Sequence, residues 1–228
     1  MGFSKTFLAR KGFEMKQIFD GVFRDGNRIY TRGTKSVYGE RLISADAVQL
    51  REWLPERSKL GAAIVNGLSE LPIKPGSIVL YLGASTGTTI SHVSDIIGNS
   101  GIVYGIEFAE RVLRSLFPLA EDRKNIAAIK ADARKPEDYA WVEECDVLFC
   151  DVADPQETEM AIRNAREFLR GGGYLMMAIK SQSIDVTKQP KQVYQEERKK
   201  LENAGFSVVQ MIDLEPHEEK HAMIVARK

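Results

Sequence analysis

The strongest constraint on this chain is an alternation that begins near residue 77. Short apolar runs, each ending in a small or acidic residue, are separated by segments with helical periodicity. Ser77-Ile78-Val79-Leu80-Tyr81-Leu82 reads as a buried strand ending at Gly83, residues 88–97 as a helix, and residues 101–106 as a second strand. A helix over 109–121 leads to a strand over 126–130; a fourth strand covers 146–150, and a helix covers 156–169. A fifth strand, 173–179, follows the Gly171-Gly172-Gly173 turn. Repeated βα units predict an α/β fold with a mostly parallel, doubly wound sheet, because each helix carries the chain back to a parallel neighbour. The end breaks the pattern. After a helix over 191–204, two strands (206–214 and 221–226) are separated only by a loop, which predicts a C-terminal antiparallel hairpin.

Ahead of this region the chain has a different character. Residues 1–56 carry short, turn-punctuated runs, with Asp25-Gly26-Asn27 as a hairpin signal, and read as a small β-rich N-terminal domain; residues 57–228 form the main domain. Leu60, Ala63, Ile64, Gly67, Leu68 and Leu71 recur at helical spacing, and Pro72 and Pro75 close that helix. With 43% hydrophobic and 28% charged residues and no low-complexity tract, all of this is globular. Cys145 and Cys150 are too few to staple such a fold or build a structural zinc site. The apolar runs are too short to span a membrane and no apolar leader opens the chain, so a cytoplasmic protein with no membrane partner is expected. Met1-Gly2-Phe3-Ser4-Lys5-Thr6 fits a loose myristoylation pattern and is read as chance. The net charge of zero conceals a split: residues 1–60 hold 12 Lys or Arg against 7 Asp or Glu, and the remainder 20 against 25. A basic leading segment permits a nucleic-acid partner, but a protein this neutral needs help to hold RNA.

The loop Gly83-Ala84-Ser85-Thr86-Gly87-Thr88-Thr89 joins the first strand of the α/β region to a helix. Its small residues let the backbone approach a ligand, the helix N-terminus offers amide donors, and Thr88 or Thr89 can cap it; the competing reading is a plain tight turn. Glu107, 24 residues after Gly83 at the end of the second strand, is placed to accept hydrogen bonds from both hydroxyls of a ribose. Asp132-Ala133, at the end of the third, can meet an adenine amino group, though an Asp in a surface turn is an adequate alternative. Gly83-x-Ser85-x-Gly87 also spells a hydrolase nucleophile elbow, with Asp151 or Asp213 and His217 or His221 in the order a triad requires; against it, the motif follows the first strand of the region and no oxyanion loop is evident. His217-Glu218-Glu219-Lys220-His221 matches a zinc-protease string, but Pro216 precedes it and a strand pattern follows, so the two rings do not share a helical face.

An α/β sheet ending in an antiparallel hairpin resembles the Rossmann-like fold of class I S-adenosylmethionine-dependent methyltransferases. The residues carry a more specific likeness: Leu80 to Thr89, then Gly101-Ile102-Val103-Tyr104-Gly105-Ile106-Glu107-Phe108-Ala109 with Arg111 and Arg114, then Asp151-Val152-Ala153, then Ile179-Lys180-Ser181-Gln182-Ser183-Ile184-Asp185-Val186-Thr187. In this order, over residue 20 to the end, they resemble fibrillarin. No Gly/Arg-rich tail is present, which favours the archaeal, fibrillarin-like RNA 2′-O-methyltransferase type.

That resemblance implies methyl transfer from S-adenosyl-L-methionine to a ribose 2′-hydroxyl of rRNA or tRNA, directed by a box C/D guide RNA. The implied partners are a Nop-family scaffold protein and a kink-turn-binding ribosomal-type protein. The alternatives are a serine hydrolase using Ser85 and a catalytically silent scaffold subunit of such a ribonucleoprotein. The implied cofactor contacts fall on Gly83, Ala84, Ser85, Gly87, Thr88, Thr89, Glu107, Phe108, Asp132, Ala133, Asp151, Val152, Ala153 and Asp154. Asp154 departs from the glutamine common in the family and brings a negative charge toward the sulfonium. The implied catalytic set is Lys59, Asp151, Lys180 and His221. Lys180 is the expected base, its pKa depressed by burial and by Lys59, with Asp151 orienting it and stabilising the methyl donor. Lys59 and His221 are expected to position the 2′-oxygen or the adjacent phosphate.

Overall fold

The computed structural model describes residues 7–10 and 13–228, so the Met1–Thr6 pattern lies outside the described residues. Strands β1 (Phe7–Arg10), β2 (Phe13–Phe19), β3 (Val22–Asp25), β4 (Arg28–Arg32), β5 (Leu42–Ala45) and β6 (Val48–Trp53) form an antiparallel sheet in the order β1-β2-β3-β4-β6-β5. The hairpin expected at residues 25–27 is present, with Asp25 paired to Arg28. Met15, Phe23, Tyr30, Ile43 and Leu50 bury one face of this sheet as its own small core.

A single turn of 3₁₀ helix, Pro55–Arg57, leads into α1 (Lys59–Val65). The helical spacing predicts a helix to Leu71, but α1 stops six residues earlier. Gly67 turns left-handed (φ 99°), and the Leu68 amide bonds back to the Ala63 carbonyl at 2.9 Å while Gly67 bonds back to Ile64, a Schellman closure that satisfies the last carbonyls. Leu68 and Leu71 are still buried, so their apolar spacing reflects packing of an extended segment.

Beyond it the α/β alternation is realised: β7 (Ile78–Leu82), α2 (Thr88–Ile97), β8 (Ile102–Glu107), α3 (Glu110–Asp122), β9 (Ile126–Lys130), β10 (Cys145–Cys150), α4 (Glu157–Phe168), β11 (Leu169–Lys180), a short α5 (Ser181–Ile184), α6 (Pro190–Asn203), β12 (Ser207–Asp213) and β13 (His221–Arg227). The seven strands run β12-β13-β11-β10-β7-β8-β9, all parallel except β13, which is antiparallel to both neighbours as the hairpin predicts. β11 begins earlier than the glycine triplet indicates. Leu169 pairs with Cys145 and Tyr174 with Val147, so the glycines bulge within the strand.

The sheet is buried on both faces. Val79, Tyr81, Phe149 and Met176 face α1 to α3 and the inner residues Val22, Ile29 and Trp53 of the first sheet. Leu80, Leu82, Leu148 and Met177 face α4 and α6. β7 and β10 lie side by side while the chain winds outward from them in opposite directions. That switch point opens a crevice at their carboxyl ends.

The two sheets are joined through a buried polar cluster. Arg51 of β6, fully buried, places its guanidinium 2.9 Å from Asp95 of α2, 3.3 Å from Glu40 and 3.0 Å from the Ser91 hydroxyl. Arg123, just after α3, pairs with the other Asp95 oxygen. Thr31 donates to Asp95 at 2.9 Å and sits 2.8 Å from His92 Nδ1, and the His92 ring stacks on Trp53 with centroids 4.6 Å apart. Burial pushes the His92 pKa well down, and the two nearby guanidinium groups push the same way, so this ring is neutral. A buried ion pair adds little net stability, but removing one partner strands the other. Asp95→Ala is therefore expected to cost about 3–5 kcal/mol, read as a lower urea midpoint with an unchanged m-value; an effect below 1 kcal/mol would show that the cluster does not hold the sheets together.

Candidate active site

Two residues at the switch point bring the crevice walls together. Gly83, directly after β7, has φ 79°, and a Cβ there would lie 2.4 Å from the Asp151 carbonyl oxygen. Only glycine allows this approach, which is completed by the Asp151 amide bonding to the Leu82 carbonyl at 2.9 Å. Ser85, also left-handed at φ 51°, is held by Glu107: one carboxylate oxygen accepts from the Ser85 amide at 2.9 Å, the other from the Ala109 amide at 2.8 Å. Each oxygen keeps a further lone pair, so Glu107 can hold the loop and still accept from two ligand hydroxyls.

Two adjoining cavities, of about 340 Å³ and about 350 Å³, share Gly83, Ser85, Asp151, Val152 and Ala153 as a common wall. The first is completed by Lys59, Ala84, Thr88, Thr89, Lys180 and His221, together with Arg57. Glu107, Phe108, Asp132, Ala133 and Asp154 line the second, with Arg134. Gly87 lines neither. It is the N-cap of α2, with φ 105°, and a Cβ there would lie 2.6 Å from a Leu119 methyl of α3. The expected threonine cap of α2 is absent too: Gly87 supplies no side chain, and Thr89 donates instead to Ser58 at 3.0 Å. The first amides of the helix consequently remain open to an anionic group.

At the first cavity, the Lys59 ammonium lies 2.9 Å from one Asp151 oxygen and 3.3 Å from the other. Burial alone would lower the Lys59 pKa, but the Asp151 charge and hydrogen bond outweigh it and hold this amine above the ordinary lysine value. Asp151 thus engages Lys59, whereas the sequence analysis has it orient Lys180. Lys180 ends β11 opposite His221 of β13, half-buried, and forms no ion pair among the described residues. His221 Nδ1 is 2.7 Å from the Glu219 carbonyl, which can only accept, so Nδ1 carries the proton and Nε2 is left as an acceptor. Burial lowers the His221 pKa, leaving the ring neutral near pH 7.

The second cavity is organised by Arg134, which no sequence motif marks. Arg134 binds both Asp132 oxygens (3.0 and 3.1 Å), approaches Asp154 at 4.0 Å, and lies over the exposed Phe108 ring at 5.9 Å. It offsets the negative charge of Asp154, whose carboxylate also accepts from the Gln156 amide at 2.8 Å. The signal was local: an arginine two residues after Asp132 can fold back onto it.

Neither decoy assembles. Ser85 makes no hydrogen bond to a histidine among the described residues, and His217 instead lies 3.4 Å from Glu56. His217 sits in the β12–β13 loop and His221 on β13, so no helix presents both.

Beneath the floor lies a second group that no motif marks. Glu157, first residue of α4, is fully buried, and both its carboxylate oxygens lack a hydrogen-bond partner among the described residues. Burial, and then the charges of Asp151 and Glu197, push its pKa up to about 9. It therefore stands as the neutral acid, and Asp151 is the carboxylate available to the Lys59 ammonium.

A strand order of this kind, with an acidic residue ending the second strand and a small-residue loop ending the first, defines a class I S-adenosylmethionine-dependent methyltransferase fold. Within that class the chain belongs to the Fibrillarin family, whose profile matches residues 12–228. It is 55% identical to the fibrillarin-like rRNA/tRNA 2′-O-methyltransferase of Pyrococcus abyssi over 222 residues, 93% of this chain and 97% of that one. It superposes on Aeropyrum pernix fibrillarin with natively bound S-adenosyl-L-methionine at a TM-score of 0.82, with 45% identity and 97% of each chain covered. On the fibrillarin of a fibrillarin/Nop5p complex the TM-score is 0.86, with 34% identity, covering 92% of this chain and 99% of that one.

The state of Glu157 makes a prediction about stability. Between the ordinary carboxyl value near 4.5 and its folded value of about 9, the folded protein holds a proton that the unfolded chain has lost. Stability from this group is complete below the lower value and is lost as pH rises toward the upper one. Glu157→Gln is expected to be more stable than wild type at pH 8, by on the order of a few kcal/mol and so with a higher melting temperature, and to lose that advantage near pH 4.5. A pH-independent difference in melting temperature would refute the neutral-acid assignment.

Proposed function

We propose that this chain transfers a methyl group from S-adenosyl-L-methionine to the 2′-hydroxyl of ribose in rRNA or tRNA, with the target chosen by a box C/D guide RNA inside a ribonucleoprotein. The observation that carries the reading is the placement of Lys59, Asp151, Lys180 and His221 around one cavity that adjoins the Glu107 trough. The Pyrococcus abyssi relative bears this activity in its name, and the Aeropyrum pernix relative holds the methyl donor. A Nop-family scaffold is supported by the fibrillarin/Nop5p complex. A kink-turn-binding protein and the guide RNA complete the proposed assembly, and a net charge of zero is consistent with RNA being held largely by those partners. No helix among the described residues is long and apolar enough to cross a membrane, in keeping with a cytoplasmic site of action. In this proposal residues 1–56 form the β-rich unit and 57–228 the methyltransferase unit.

The residues fit the cofactor by chemistry. Glu107 offers lone pairs to ribose hydroxyls, Phe108 offers an exposed ring face, and the open amides of α2 suit a carboxylate. When bound, the cofactor supplies an electrophilic methyl carbon on a positively charged sulfur. Lys59, kept protonated by Asp151, is excluded as the base and serves to hold the acceptor ribose, with His221 Nε2 as a second contact. Lys180, at the end of β11 in the same cavity, takes the proton of the attacking 2′-hydroxyl. Asp151 stabilises positive charge on both sides of the transfer.

Two outcomes test this. Glu107→Ala is expected to weaken S-adenosyl-L-methionine binding about a hundredfold in calorimetry, because two hydrogen bonds to a charged acceptor are lost. In the reconstituted complex, Lys180→Ala is expected to bind the donor normally and to lose at least about a hundredfold in single-turnover rate. Normal turnover by that variant would remove Lys180 from the chemistry.

A further inference from the structure

The cations lining the first cavity are not equivalent. Lys59 is committed to Asp151, and Lys180 stands at the strand end beside the reacting groups. Arg57, in the turn between β6 and α1, lines the same cavity but is exposed, and it forms no ion pair among the described residues. Its guanidinium is nevertheless held in place. It lies over the Tyr38 ring at 5.8 Å and donates one hydrogen bond, 3.0 Å long, to the Tyr38 carbonyl. Tyr38 is anchored in turn, its hydroxyl donating to the Thr86 carbonyl in the loop after β7. One of five donors is used in a side-chain or backbone bond among the described residues, which leaves most of a positioned planar fork at the cavity wall available to an anion.

The geometry points to Arg57 as a binding residue for a backbone phosphate of the acceptor strand, the phosphodiester 3′ to the ribose that is methylated. This inference rests on the ribose-methylation reading above. The chemistry is direct. A guanidinium fork matches two phosphate oxygens, and the 3′-phosphate is attached to the carbon next to the one bearing the 2′-hydroxyl. Holding that phosphate restricts how the sugar presents its 2′-oxygen to the cavity, an orientational gain that adds to the hold of Lys59 on the ribose. The open amides of α2 provide a separate place for the carboxylate of the methyl donor.

The test uses the full chain reconstituted with guide RNA and partner proteins, comparing wild type, Arg57→Ala and Arg57→Lys. Targets carry either a normal phosphate or a neutral methylphosphonate 3′ to the acceptor ribose. Arg57→Ala is expected to lower kcat/KM for the target strand about ten- to a hundredfold, with Arg57→Lys recovering part of it as a point charge without the fork. Affinity for S-adenosyl-L-methionine should change less than twofold in either variant. The methylphosphonate should slow wild type by a similar factor and slow Arg57→Ala no further. Three results would each overturn the inference: additive losses from the variant and the neutral linkage, full wild-type rate on the methylphosphonate target, or a tenfold weaker methyl-donor affinity in Arg57→Ala, which would assign the guanidinium to the cofactor carboxylate. The wild-type arm also decides independently if Arg57→Ala fails to fold. Failure of the underlying reading looks different, since wild type itself would then leave the ribose unmethylated on the ordinary target.

Discussion

One carboxylate, Asp95, satisfies two guanidinium groups, one on each of its oxygens, and the arrangement of the chain ahead of residue 60 depends on it. Arg51 has no access to water and cannot lose its charge, so β6 must keep it against Asp95 and Glu40. With β6 held, the Pro55–Arg57 turn and α1 are aimed at the crevice, and Ser58 ties that entry down by accepting from both the Gly61 amide and the Thr89 hydroxyl. The distance from Lys59 to Asp151 is thus set by how two sheets dock, although neither residue belongs to the cluster that docks them.

The crevice itself follows from backbone geometry at the switch point. Gly83 and Asp151 touch because no Cβ intervenes, and Glu107 holds Ser85 in a conformation that side-chain-bearing residues rarely adopt. Charge is then distributed so that each end of the trough has its own character. Toward Glu107, the acids Asp132 and Asp154 are offset by Arg134; toward Lys180, Lys59 and Asp151 offset one another and Glu157 stays protonated. In the proposed reaction the groups that meet the substrate are then few: the Lys180 amine, the His221 lone pair, the Lys59 ammonium and the Arg57 fork.

Most of the fold was legible from periodicity. The strands ending at Leu82, Lys130 and Cys150 and the terminal hairpin lie where the apolar runs place them, because buried parallel strands need uninterrupted apolar residues. The errors have local causes. Leu68 and Leu71 share the spacing of α1 but belong to a buried extended segment, since an apolar residue at the right interval packs inward whether or not the helix continues. The glycine triplet reads as a turn, yet its residues bulge within β11. In the crevice, residues at strand ends were found through the loops that follow them. Arg134, Glu157 and Arg57 were not, because an isolated charged residue outside a motif carries no mark of what it faces.

The sequence by itself determined the alternating elements, the glycine-containing loop at Gly83 and the acidic strand end at Glu107, all of which depend on neighbours within a few residues. Only the tertiary structure decided that Asp151 pairs with a lysine 92 positions earlier, that His221 keeps its proton on Nδ1, and that Glu157 is neutral. Those properties follow from burial and from the charges that folding brings within a few ångströms, and neither quantity exists in an extended chain.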